Sequence, residues 1–263
     1  MNYLVRNRDV LVIHRNDASV EIPAVVFTRA CEEFNALIDK FEDFGVDVFS
    51  LLGMRNLSAF IGELFGAVVI KQAGDLFQKN PHQDGYPDLL LMDPVGLAHW
   101  QPLLNRLKEK EPFSPFAGGG IEIKATCGSV PTPKQLERSG QTKPGIGDGR
   151  IDMMRGYDWK AHHRETNNLL GLFWDFADGK PRIVGCFYSP RLTVEDWGKI
   201  IHPREGGGRT TSVSIMTRDG VRKMYEDWLF VADDVRYIRF LDRFNGGTLL
   251  RDYQRANSAV PRG

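Results

Sequence analysis

Residues 118–128 read Gly-Gly-Gly-Ile-Glu-Ile-Lys-Ala-Thr-Cys-Gly. Between the two glycine breaks Ile121, Ile123 and Ala125 alternate strictly with Glu122 and Lys124, a period of two that belongs to a β-strand and not to a helix. One face of such a strand is wholly aliphatic and must be covered, so the chain needs a sheet with other elements packed on it. The opposite face carries a carboxylate and an ammonium two residues apart, projecting into one environment.

Other segments supply the rest of the sheet. Asp88-Leu-Leu-Leu-Met92 is a continuous apolar run of the kind that forms a buried strand, and it follows a polar, turn-rich segment over 78–87. Residues 168–175 and 181–188 predict two strands joined by a turn at Asp178-Gly179, and residues 9–27 predict a strand pair around Arg15-Asn16-Asp17. Thr28 is placed to cap an amphipathic helix through Cys31 and Leu37. After Asn56, Leu57, Phe60, Ile61, Leu64, Phe65 and Val68 recur at the spacing of one buried helix face, with Glu63 at its edge. Shorter helices are expected at 103–110, 194–201 and 218–231. These elements make an α/β fold.

At 263 residues, 42% of them hydrophobic, the chain is long enough to bury a substantial core and lies outside the composition of disordered proteins. With no repeat or linker, one domain over 1–263 is expected: 1–55 as N-terminal scaffold, 56–190 as core and 191–263 as C-terminal elements. Cys31, Cys127 and Cys186 are odd in number and far apart, without a CxxC pair for zinc or redox chemistry. They read as reduced thiols of a cytoplasmic protein. The N-terminal residues lack a secretory apolar core, and no segment is expected to reach the roughly 18 apolar residues of a membrane span. The zero net charge excludes a uniformly basic nucleic-acid coat, but the charge is polarised. Residues 31–122 hold 14 Asp/Glu against 7 Lys/Arg, whereas 123–225 hold 17 Lys/Arg against 11 Asp/Glu.

If the strand at 121–125 pairs with 88–92, as adjacency in sequence favours, Asp88 lies beside Glu122 at one end of the sheet. Two carboxylates about 4 Å apart repel by roughly 4 kcal/mol at an effective dielectric of 20, a cost that a divalent cation reverses. Carboxylates, a backbone carbonyl and water are hard ligands that suit Mg²⁺. A lysine beside a metal-bound water can orient or deprotonate it and offset charge on a phosphoryl oxygen, which implies phosphodiester hydrolysis. Two further acid-x-Lys triplets, Asp158-Trp-Lys160 and Asp178-Gly-Lys180, lack the aliphatic alternation and the preceding Pro-Asp. Pro87-Asp88 is the one Pro-Asp in the sequence.

Pro87-Asp88, then Glu122-Ile123-Lys124, after a helix bearing Glu63, resembles the PD-(D/E)XK nuclease superfamily over residues 56–190, and the layout looks most like a type II restriction endonuclease. The resemblance implies a restriction-endonuclease-like core, a central mixed β-sheet flanked by helices. It implies that Asp88, Glu122 and the Ile123 carbonyl bind Mg²⁺, that Lys124 is the catalytic lysine, and that Glu63 matches the helix acid some members use. It also implies double-stranded DNA as substrate and a homodimer, since a two-fold protein can cut both strands of a palindrome.

DNA requires cations near the metal and donors that reach phosphates or base edges. Lys143, Arg150, Arg155, Lys160, His162, His163 and Arg164 populate the long segment after the site, and Arg209-Thr210-Thr211-Ser212 follows a triple glycine. The glycine runs match neither a Walker loop nor a dinucleotide fingerprint, so no nucleotide cofactor is expected. A repair or junction-resolving nuclease, a DNA-binding protein with an inert site and a small-molecule α/β enzyme remain as alternatives.

Overall fold

A computed structural model describes residues 1–15, 18–162, 164, 166–203 and 212–258. In chain order the elements are β1 Tyr3–Val5, β2 Val10–Arg15, β3 Ala18–Pro23, α1 Val25–Lys40, α2 Val48–Ala73, β4 Phe77–Lys79, β5 Leu89–Leu91, α3 Pro94–Trp100 and β6 Gly120–Thr126. They continue with α4 Pro133–Arg138, β7 Lys160–Ala161, β8 Leu169–Ala177, β9 Lys180–Ser189, β10 Ser214–Ile215, α5 Arg218–Glu226, β11 Trp228–Ala232, α6 Val235–Asn245 and α7 Leu249–Ser258.

Seven strands form one mixed sheet in the order β1-β11-β9-β8-β6-β5-β4. All neighbours are antiparallel except β6 and β8, which run parallel. A parallel pair needs a long crossover, and residues 127–168 provide it, carrying α4 and β7 on the way. The alternation in β6 sorts as its period requires. Ile121 and Ile123 join Leu170, Leu172 and Trp174 of β8 in the core beneath α1 and α2. The opposite face of the sheet buries Leu169, Phe173 and Phe187 with Tyr157, Trp159 and residues of α5, α6 and α7. The chain is therefore an α/β fold with helices on both faces of a mixed sheet.

Several boundaries differ from expectation for local reasons. α1 starts at Val25, one turn before Thr28, because the hairpin β2–β3 delivers the chain directly into it and the Ala24 amide bonds back to the Asp9 carbonyl. α2 starts at Val48, capped by Asp47, and breaks at Gly53, whose φ of 66° lies in the left-handed region. Residues 104–110 are turns, and the helix of this region is α3, where Asp93 caps the Gly96 amide and Pro94 takes the first helical position. Residues 194–201 hold one short 3₁₀ turn, after which Trp197 bridges to Met216. Residues 218–231 split into α5 and β11, since Trp228–Ala232 is buried throughout and completes the sheet between β9 and β1.

The stretch Asn56–Leu76, mostly α2, is long and apolar enough by length and composition to cross a membrane, although no such segment was expected. In this fold it is a core helix that buries Leu57, Ile61, Phe65, Val68 and Val69 against the sheet and α1.

Asn168, just before β8, ties three parts of the molecule together. Its side chain accepts from the His14 amide (2.9 Å) and from the Tyr188 hydroxyl (3.0 Å) and donates to the His14 carbonyl (2.6 Å). Its backbone carbonyl accepts from the Glu122 amide (2.9 Å). Asn168→Ala leaves buried donors and acceptors unmatched, and it is expected to cost about 2–3 kcal/mol, a fall in Tm of roughly 5–10 °C. Calorimetry of the variant checks this, and an unchanged Tm would mean that the hairpin is held elsewhere.

Candidate functional site

The β5–β6 ladder pairs Leu89 with Ile121, which sets Asp88 opposite Glu122 and Pro87 opposite Ile123. The pairing stops there because Pro87 has no N–H to give the Ile123 carbonyl. The Pro87 carbonyl, which would otherwise accept from Ile123, takes the side-chain amide of buried Asn80 (2.9 Å). The Ile123 amide instead donates to Asp88 Oδ2 (2.8 Å) and the Asp88 amide to Glu122 Oε2 (3.2 Å). Lys124 Nζ completes the ring, 2.5 Å from Glu122 Oε1 and 3.4 Å from Asp88 Oδ2.

Burial sets the electrostatics. The Glu122 side chain is only 6% exposed, and desolvation pushes its pKa up to about 7; the Lys124 charge opposes the rise and Asp88 adds to it. For Lys124 burial pulls the pKa down, but the charges of Glu122 and Asp88 outweigh it and the net shift is upward. Lys124 is thus an ammonium at neutral pH, and it balances two carboxylates that would otherwise repel. Among the described residues no group of three or more His, Cys, Asp or Glu side chains is arranged to hold a metal. The donor set here is of another kind: two carboxylates and the Ile123 carbonyl, left without a strand donor. Three hard oxygens that leave room for water suit Mg²⁺, so the residues present fit that ion.

A cleft of about 1000 Å³ opens at this ladder end. Small residues of α2, among them Gly62 and Gly66, form one wall. A Cβ on Gly66 would stand 3.2 Å from the Ile123 Cδ1, so the glycine lets the helix pack tightly on the strand that carries the site. Glu63 lines the cleft from α2 as an exposed side chain paired with Lys79 of β4 (2.7 Å). Lys160 and His162 line it from on and beside β7, the His162 Nδ1 lying 3.0 Å from the Ser212 carbonyl.

The remaining basic residues are not brought into this cleft. Lys143 and Arg155 are exposed outside it. Arg164 is spent on the Val194 and Trp197 carbonyls (3.2 and 3.3 Å), and Arg150 is buried. His163, Arg209, Thr210 and Thr211 lie outside the described residues. The members of the Asp178-Gly-Lys180 triplet separate: Asp178 forms the β8–β9 turn at φ 53°, while Lys180 pairs with Asp39 (2.9 Å) and Glu42 (2.7 Å). Lys79, Asn80, His82, Tyr86 and Lys110 also line the cleft. The signal for the first four was the polar, turn-rich segment immediately before Asp88, which reads as a connection until the fold brings it to the cleft; Lys110, in the turns after α3, gave none.

Compared with models of protein families, with curated proteins and with solved structures, the chain has no match.

The buried Glu122 predicts a pH dependence. The unfolded chain releases this proton near 4.5, the folded metal-free protein near 7, so the native state binds the extra proton between those values and stability falls as pH rises through that window. Glu122→Gln is expected to remove that part of the slope, on the order of 2 kcal/mol. Denaturant titrations of both proteins at pH 5 and pH 8 measure it, and parallel behaviour would locate the ionisation elsewhere.

Proposed function

We propose that this chain is a Mg²⁺-dependent endodeoxyribonuclease of the PD-(D/E)XK type, hydrolysing phosphodiester bonds of double-stranded DNA in the manner of a type II restriction enzyme. The observation that carries the reading is the convergence of Asp88, Glu122 and Lys124, 2.5–3.4 Å apart through the lysine, at the open end of the β5–β6 ladder and inside a cleft. Its framework supports a restriction-endonuclease-like core: α2, the antiparallel run β4-β5-β6, then β8 parallel to β6.

The two carboxylates and the Ile123 carbonyl would hold the ion, which when bound supplies a Lewis acid and a water of lowered pKa. Lys124, kept charged by its neighbours, neutralises charge that develops on the phosphoryl oxygens. Glu63 stands on the cleft wall where it can hold a water or a second cation. Lys160 and His162, which also line the cleft, offer donors to the phosphate backbone. Cutting both strands of a palindrome calls for a homodimer, with the two-fold axis of the protein on that of the site. The three free cysteines suit a reducing cytoplasm.

Purified protein incubated with plasmid DNA should produce discrete bands with Mg²⁺ and none without it. Lys124→Ala and Asp88→Ala should each slow cutting by roughly 10²–10³-fold or more. No Mg²⁺-dependent cutting, or full activity in Lys124→Ala, would overturn the assignment, and preferred cutting of branched DNA would move it to a repair or junction-resolving nuclease.

A further inference from the structure

Hydrolysis of a phosphodiester needs a base for the proton of the attacking water, and the groups already placed at the site do not supply one. Lys124 is an ammonium with no lone pair to offer. On the nuclease reading Asp88 and Glu122 are spent on the cation, and Glu63 is held by Lys79 (2.7 Å). Two histidines also line the cleft, His82 and His162. Their hydrogen bonds put the ring hydrogen on opposite nitrogens.

A neutral imidazole carries hydrogen on one nitrogen and a lone pair on the other, so the bond made at Nδ1 fixes what Nε2 can do. His82 Nδ1 accepts from the Asp84 amide (3.1 Å), which leaves its Nε2 with the hydrogen, a donor only. His162 Nδ1 lies 3.0 Å from the Ser212 carbonyl, and a carbonyl can only accept. The hydrogen of His162 is therefore on Nδ1, and its Nε2 keeps the lone pair. Ser212 is itself held in place: Val213 and Ile201 exchange both backbone bonds (2.8 and 3.1 Å), and Ser214 pairs with Ala161 across β10 and β7. His162 is exposed and lines the cleft, so that lone pair is not walled off by the fold.

The chain carrying His162 starts beside the lysine of the site. In the parallel pairing of β6 with β8, Glu122 is level with Leu169 and Lys124 with Gly171. Paired residues project to one face, so Glu122 and Lys124 point to the side of the sheet on which Trp159 packs with Leu169. The Trp159 ring stands over Gly171 itself, where a Cβ would meet its Cε2 at 2.6 Å. His162 is three residues farther on, at most about 10 Å along an extended chain.

We infer that His162 is the general base of this cleft, taking a proton from the attacking water on Nε2. The water oxygen forms the new bond to phosphorus, the bond from phosphorus to the departing ester oxygen breaks, and that oxygen takes a proton from solvent. The imidazolium so formed donates through the same Nε2 to a phosphoryl oxygen and later returns its proton to solvent. The inference rests on the nuclease reading and names the group in it that accepts the proton.

Two variants test it. His162→Asn keeps a donor near the place of Nδ1 and removes Nε2, and it should slow Mg²⁺-dependent plasmid cutting by roughly 10²-fold or more. Its affinity for a duplex, measured with Ca²⁺ in place of Mg²⁺, should stay close to that of the intact protein. Imidazole added to His162→Ala should restore cutting, and substituted imidazoles should restore it in order of their basicity, as Brønsted behaviour requires. In the protein without metal or DNA, proton–nitrogen correlation spectra of the neutral rings should show hydrogen on Nδ1 of His162 and on Nε2 of His82. Full-rate cutting by His162→Asn, hydrogen on His162 Nε2, or rescue that ignores basicity overturns the base and leaves the nuclease reading standing. A loss that resides in duplex affinity instead of rate also overturns it, in favour of a phosphate contact. No Mg²⁺-dependent cutting by the intact protein overturns the base and the nuclease reading together.

Discussion

The arrangement depends on a sheet ladder that ends one residue early. Proline at 87 has no N–H to offer the Ile123 carbonyl that the register would place opposite it, so the β5–β6 ladder cannot continue there with its regular bond. Because it is proline, three polar groups that a sheet normally hides are redirected. The Asp88 carboxylate takes the orphaned Ile123 amide (2.8 Å), Asn80 takes the Pro87 carbonyl (2.9 Å), and the Ile123 carbonyl is left without the donor that a strand residue at 87 would supply. A single missing N–H thus creates both the anchor for one carboxylate and a third oxygen beside it.

Holding two carboxylates there requires a rigid floor. Ile121 and Ile123 are buried on the α2 side of the sheet, and the parallel pairing with β8 fixes the register of Glu122 through the Asn168 carbonyl (2.9 Å). The aliphatic half of the alternation pins the strand while Glu122 and Lys124 line the cleft. Close packing of Gly62 and Gly66 against Ile123 brings the helix near enough to form the cleft wall and to place Glu63 on it. The burial that raises the Glu122 pKa is the same burial that makes Lys124 indispensable in the absence of a cation.

Local patterns made much of this legible in the sequence. The period of two at 121–125, the turn at Asp178-Gly179 and the stripe after Asn56 each follow from neighbours a few residues apart, and each formed the expected element. The adjacency of Asp88 and Glu122 followed from the tendency of consecutive strands to pair. What could not be read depended on distant partners. Trp228–Ala232 continues a helical-looking stretch and became a strand only because β9 and β1 were there to receive it. Arg150 and Arg164 look like surface cations in a polar loop, yet one is enclosed beside the end of β8 and the other closes the carbonyls of the Val194 turn. Lys79 gave no sign that it would meet Glu63, sixteen residues earlier.

The polarised charge of the chain acquires a spatial meaning at this cleft. Asp88, Glu122 and Glu63 come from the acidic stretch 31–122, whereas Lys124, Lys160 and His162 come from the basic stretch 123–225, and all six meet around one opening. A uniformly acidic cleft would repel a polyanion, and a uniformly basic one would exclude a divalent ion. On the nuclease reading the mixture answers both requirements at once, because Asp88, Glu122 and Glu63 would hold a cation while Lys124, Lys160 and His162 would present ammonium and imidazole groups to phosphate. If the substrate is a nucleic acid, zero net charge is no obstacle, because attraction need only be local: charges farther than about 8–10 Å from the phosphates are largely screened.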